Sequence, residues 1–540
     1  MNRQGSEMRD QVTAAELEAM LSDGKEIAVV DIREHGEYGE GHLFFCVSIP
    51  FSRFELDLPR LIPNPHTRVV MYNQDNGAPM DRALAIAQKL GYTQVQSLRD
   101  GVEGWEAAGL RLFAGVNVPS KTFGEMIAEN FHTPALSAEA LAEKQANGEP
   151  VVVLDGRPWE EYHAQSIPGA TSCPNGELVY RVHDLVEDED TPIVINCAGR
   201  TRSILGCEML RQYGIRNPVY ALRNGTMGWR LSGREIDQGA DRRAPAGLPQ
   251  QPIEPLRAQA LTMAEKAGAS LIPAATVQQW LEQTERTTYL LDIRDPREFA
   301  QAHLSGTRSA PGGQLIQATD EWVGVRRARL VLVDDTEVRA AACAYWLAQM
   351  DYEVYILEHG KAAWWATESG QTVATAPKTA QRIGPSDLSE RMASSMSPTV
   401  LDCQNGMTAR QSHIPGSRWV IRPKLFEVVA DRPAESPIVV VGSDNGKEDL
   451  IAADLIAAGF TEVTVLEGGM AAWIEAGHPT EASPNDPPDE ACIDYLFFVH
   501  DRHAGNLEAA RRYLEWEHGL VPALSERDWA HYHLTPIRTD

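Results

Sequence analysis

One stretch of this 540-residue chain brings a thiol and two cations within seven positions: Cys197-Ala198-Gly199-Arg200-Thr201-Arg202-Ser203. A cysteine reacts as its thiolate, so a free pKa near ~8.5 has to fall for it to act as a nucleophile at neutral pH. The stretch follows an apolar run, PIVIN (192–196), and leads into a helical pattern. In that position, loop amides and a helix N-terminus point at the sulfur and favour negative charge. Arg200 and Arg202 add positive field, and Ser203 caps the helix or bonds the sulfur. The expectation is a thiol pKa below its free value, beside a pocket for a small anion. The remaining cysteines read differently. Cys207 and Cys173 are packing residues, with a resolving thiol as the alternative for Cys173, and Cys46, Cys343, Cys403 and Cys492 carry no constellation. Seven scattered cysteines make no disulfide framework. His500, His503, His518, His531 and His533 are irregularly spaced with no cysteine pair, so neither a metal nor another cofactor is expected.

The elements that must position the loop are written four times. Apolar strands end in Asp31, Asp155, Asp292 and Asp402, and second strands cover 68–72, 192–196, 329–333 and 437–441. From each Asp to the residue after the second strand is 42 positions in three copies, reaching Asn73, Cys197 and Asp334; in the fourth it is 40, reaching Gly442. A helical stretch, a third strand and Gly-x-x-x-Trp follow: Gly101 to Trp105, Gly225 to Trp229, Gly360 to Trp364, Gly469 to Trp473. Strands alternating with helices predict parallel α/β units, which bind ligands at the carboxyl ends of their strands. Over six residues the loops carry formal charges of −1, +2, −2 and 0 in chain order, so only the second joins a thiol to attraction for an anion.

The fold expected is therefore α/β: four tandem domains at 10–115, 133–240, 268–376 and 382–479, each a parallel sheet flanked by helices, and a short α+β tail at 490–540. Residues 115–134, 240–262 and 480–490 are linkers, the first of them partly helical. In the tail, CIDYLFFVHDRH reads as a strand and NLEAARRYLEWEHGL as an amphipathic helix, a piece too small to fold alone that docks on a repeat. The chain carries 76 acidic and 49 basic residues, a net charge of −27, which repels nucleic acid and anionic membranes. Glu187–Asp190 is a solvated loop. No apolar run reaches the roughly 18 residues of a membrane span, and the polar start shows no signal peptide. A cytoplasmic protein is expected.

Asp-x-Arg after the first strand, Ile-Pro-Gly, Cys-x4-Arg after the second strand and Gly-x-x-x-Trp, in that order, resemble the rhodanese family of sulfurtransferases. The resemblance spans residues 12 to about 478 and leaves the last 50 or so outside. It implies one active domain, the second, with Cys197 as catalytic residue, and inactive first, third and fourth domains with Asn73, Asp334 and Gly442 in its place. The implied reaction moves sulfur from thiosulfate through a persulfide on Cys197 to cyanide or a thiol. Ala198, Gly199, Arg200, Thr201, Arg202 and Ser203 would bind substrate, and Asp155, Arg157 and Trp229 would support the loop. Cell-cycle phosphatases of the same fold resemble Cys-x5-Arg, but the sixth residue after Cys197 is Ser203. The loop is also unlike the Cys-Gly-[Ser/Thr]-Gly of mercaptopyruvate sulfurtransferases. The second copy departs from the family's His-Ile-Pro-Gly with Ser166-Ile167-Pro168-Gly169. The alternatives are a persulfide carrier or scaffold fed by a partner protein, with a protein as sulfur acceptor, and a pure interaction protein.

Overall fold

The structure, a computed structural model, describes residues 11–360, 376, 378–500 and 506–538. It contains four five-stranded sheets, each parallel and each with one strand order: first, fifth, fourth, second and third strand of the copy. In the second copy these are Ala135–Leu136, Val219–Leu222, Ile193–Asn196, Val152–Asp155 and Thr171–Ser172. The central strand Ile193–Asn196 is buried throughout because helices cover both faces. Its partner runs in register from Val152 opposite Ile193 to Asp155 opposite Asn196. The two strands therefore end level, and the chain after Asp155 lies beside the loop after Asn196. Four tandem α/β domains, as expected from the repeat, are what the chain builds.

The chain divides into two compact units. One holds residues 11–23, 27–115 and 376–497, and thus the first and fourth copies; the other holds 24–26, 116–360 and the tail from 498. Within the first unit, buried Arg422 of the fourth copy bonds Glu55 of the first at 2.5 and 2.7 Å, and Asp454 at 2.8 Å. Within the second, Arg339 of the third copy reaches Glu177 of the second at 2.9 Å.

The linkers hold more structure than their composition suggested. Val118–Asn130 is a helix packed against Thr201–Tyr213, and Ile253–Lys266 is a helix packed against Val338–Gln349 of the third copy. One expectation fails. No strand forms among the described residues of 490–538; Phe497–His500 is a helical turn. The buried residues Cys492, Leu496 and Val499 stand four and three apart, so burial does not alternate as in a strand with one buried face. Trp364 and His503 lie outside the described residues.

Candidate active site

Cys197 follows directly on the central strand and is 2% exposed. Two devices fix the loop around it. On one side, buried Arg157 bonds Asp155 at 2.8 and 2.7 Å and the Gln165 carbonyl at 2.5 Å, while Asn196 donates to Asp155 at 2.8 Å. Asp31–Arg33 and Asp292–Arg294 repeat this pair, and Gln404 on Asp402 is its neutral form in the fourth copy. On the other side, the N–H groups of Thr226 and Met227 donate to the Cys197 and Ala198 carbonyls at 2.8 and 3.1 Å. That contact requires glycine at 225: φ is +52°, and a Cβ there would lie 2.2 Å from the Cys197 carbonyl oxygen. Trp229, four residues on, is a core residue whose indole donates to the Glu235 carbonyl at 2.6 Å. From below, the Asn175 amide donates to the Arg202 carbonyl at 2.8 Å.

Both loop arginines are already occupied. Arg200 bonds both carboxylate oxygens of Glu125 at 2.7 Å, and Arg202 bonds those of Glu161 at 2.7 and 2.9 Å, with Gln314 at 3.3 Å. The formal +2 of the loop is thereby neutralised. The expected depression of the thiol pKa is not found. Burial pushes the Cys197 thiol above its ordinary value, outweighing Arg202 and the N–H and hydroxyl of Ser203, and nearby Glu517 pushes the same way. Among the described residues, the buried Thr201 hydroxyl has no hydrogen-bond partner.

Glu517 arrives from the tail, which docks here. Its helix Leu507–His518 buries Ala510, Tyr513 and Leu514 against Met227, and Lys121 of the linker helix lies 5.4 and 4.8 Å from the Tyr513 and Trp516 rings. The Glu517 carboxylate rests on Gly199, 3.0 Å from where a Cβ would stand. Beside Ala198, a cavity of about 260 Å³ opens between Trp159–Ala164, Gly225–Leu231 and the start of the tail helix.

Residues 13–108, 137–232, 273–367 and 384–476 each match the family model of the rhodanese-like domain. The chain belongs to the rhodanese family. The crystal structure of a thiosulfate sulfurtransferase from Pseudomonas aeruginosa superposes with a TM-score of 0.89 at 36% identity, over 97% of this chain and 99% of that one. An HTH-type transcriptional regulator of Mycobacterium tuberculosis is 38% identical over 104 residues, 19% of this chain and 44% of that protein. The putative sulfur carrier protein YrkF of Bacillus subtilis is 33% identical over 107 residues, 19% of this chain and 57% of that protein. The chain thus spans about half the length of these two relatives.

The other rhodanese-like copies fill their loops with an oxygen of their own. The Asn73 amide oxygen accepts the Asn76 N–H at 2.8 Å. Asp334 accepts N–H groups from Thr336 at 3.2 Å, Arg339 at 3.0 Å and Glu337; burial raises this carboxyl to about 6. At Gly442, Glu448 takes the space, with one carboxylate oxygen 2.5 Å from where a Cβ would stand and the other accepting the Gly446 N–H at 3.1 Å.

The arginine pairs differ in origin. Arg339 bonds Glu298 as Arg202 bonds Glu161, each Arg five residues after the loop's first position and each Glu six after the strand-end Asp. Glu161 was therefore legible by aligning the rhodanese repeats. Glu125 and Glu517 come from the linker and the tail, where no repeat register exists to expose them. Among the described residues, no group of three or more His, Cys, Asp or Glu is placed to hold a metal ion, and no helix is long and apolar enough to cross a membrane.

Proposed function

We propose that this rhodanese-like sulfurtransferase takes the outer sulfur of thiosulfate onto Cys197 and passes it to cyanide or a thiol, with the other three copies silent. One contrast carries the reading. The second loop presents a thiol where the others place oxygen from Asn73, Asp334 or Glu448.

The Cys197 thiolate attacks the outer sulfur; the S–S bond of thiosulfate breaks, its electron pair leaves on sulfite, and a persulfide remains. An acceptor thiolate or cyanide then attacks the outer persulfide sulfur and returns the electron pair to Cys197. Ala198 and Gly199 leave the loop amides open to a sulfur anion, and the Thr201 and Ser203 hydroxyls add donors to it. Arg200 and Arg202 hold the loop and draw the donor anion, which competes for them with Glu125 and Glu161. Asp155, Arg157 and Trp229 keep the strand end and the loop in place. A cytoplasmic setting belongs to the same proposal.

The second reading is a persulfide carrier loaded by a partner protein, and the likeness to a putative sulfur carrier favours it. Against it stands the burial of the thiol, 2% exposed under a docked tail, which a small anion penetrates more easily than another protein's cysteine. Steady-state turnover with thiosulfate and cyanide separates the two. The proposal expects saturable thiocyanate formation that disappears in Cys197→Ser. Turnover retained in Cys197→Ser would overturn it, as would a wild-type protein inert to thiosulfate but loaded by a partner.

A further inference from the structure

The cavity beside Ala198 has a wall unlike the loop itself. Ala164, Ala198, Met227, Leu507 and Ala510 make it largely apolar. Of the charged groups lining it, Arg157 is committed to Asp155, and Glu161 to Arg202. Arg230 is the exception: its half-buried side chain makes no ion pair or hydrogen bond among the described residues. The repeat marks the same residue. Five positions after the glycine of Gly-x-x-x-Trp, the other copies carry Glu106, Trp365 and Ile474. A cation at this position accompanies only the loop that has a cysteine.

This chemistry does not suit thiosulfate alone. A compact dianion gains nothing from five apolar side chains and loses hydration beside them. A short alkyl chain gains from burial there, and an unpaired guanidinium in a half-enclosed site calls for an anion at the chain's far end. We propose that the cavity binds the sulfur acceptor, a small aliphatic thiol bearing a carboxylate. Arg230 holds the carboxylate, and the chain lies against Met227, Leu507 and Ala510. The proposal rests on the reading above, in which Cys197 takes sulfur from thiosulfate as a persulfide. Its step is balanced: the acceptor thiolate forms a bond to the outer sulfur, the bond from that sulfur to Sγ breaks, and the electron pair regenerates the Cys197 thiolate. The sulfur leaves as the acceptor's persulfide.

The test loads the full chain with thiosulfate, removes the excess and verifies the added sulfur by mass. Discharge rates are then measured with thioglycolate, 2-mercaptoethanol and cysteamine, short thiols ending in a negative, a neutral and a positive group. Dividing each rate by that of Arg230→Gln cancels the intrinsic reactivity of each thiol. The expected ratio is roughly tenfold for thioglycolate, near unity for 2-mercaptoethanol and below unity for cysteamine. Arg230→Glu should push the thioglycolate rate lower still and favour cysteamine. One common ratio for all three thiols would overturn the acceptor proposal. Failure to load any sulfur would instead overturn the reading of Cys197 on which it rests.

Discussion

At the residue scale, the loop thiol and its two arginines were visible in the sequence, but their electrostatics were not. Counting charges along CAGRTR gives an attractive field. The folded loop pairs each guanidinium with a carboxylate and buries the sulfur, so the thiol sits high. Glu517 contributes to that rise, and removing its charge should lower the thiol pKa. Glu517→Gln is therefore expected to speed alkylation of Cys197 several-fold near neutral pH and to move the pH–rate midpoint down. Iodoacetamide kinetics across pH would measure both. A second expectation concerns the buried pair at the strand end. Arg157→Ala leaves Asp155 as an uncompensated buried charge and should cost about 3–5 kcal/mol. Arg157→Gln should cost less, because Gln404 makes the same two contacts in the fourth copy, to Asp402 at 3.0 Å and to the Ser412 carbonyl at 3.1 Å. Denaturant unfolding of the two variants compares them directly.

At the scale of elements, strand order, loop position and helix start followed from the repeat, because a fixed spacing from strand-end Asp to loop leaves few ways to build an α/β unit. The glycine of Gly-x-x-x-Trp was legible as a signature but not as a mechanism. Its role is the close approach to the Cys197 carbonyl at positive φ, a contact sequence alone does not display. Gly225→Ala is expected to cost about 1–3 kcal/mol and to push the loop away from the helix that follows. Melting temperature and turnover should fall together, and an unchanged protein on both counts would contradict this account of the loop. The tail strand misled for a clear reason: CIDYLFFV is apolar enough for a strand, yet among its described residues the buried ones do not alternate. The linker and tail residues that reach the loop lie outside any repeat, so no register could announce them.

At the scale of the molecule, the tail reaches the one loop, among the four that follow a second strand, that opens on a cysteine. A chain ending at His500 uncovers Met227 and removes Glu517, so it should lose stability in the unit that contains the second copy and alkylate faster at Cys197. Calorimetry and alkylation kinetics on the truncated chain test both. The other unit carries its own pH dependence. His42 is buried, and burial lowers its pKa from 6.5 to about 4. A depressed histidine favours the folded state fully above the unfolded pKa, and that contribution is lost as pH falls from about 6.5 towards 4. The span corresponds to roughly 3 kcal/mol at most. His42→Gln should therefore show a smaller loss of denaturant stability between pH 7 and 4.5 than the wild type.

The central claim is that sulfur resides on Cys197. The reduced 540-residue chain is incubated with thiosulfate, and the added mass is mapped by intact and peptide mass spectrometry. The account predicts one extra sulfur, on the peptide containing Cys197, and none in Cys197→Ser. An unmodified Cys197, or sulfur on any other of the seven cysteines, would contradict it.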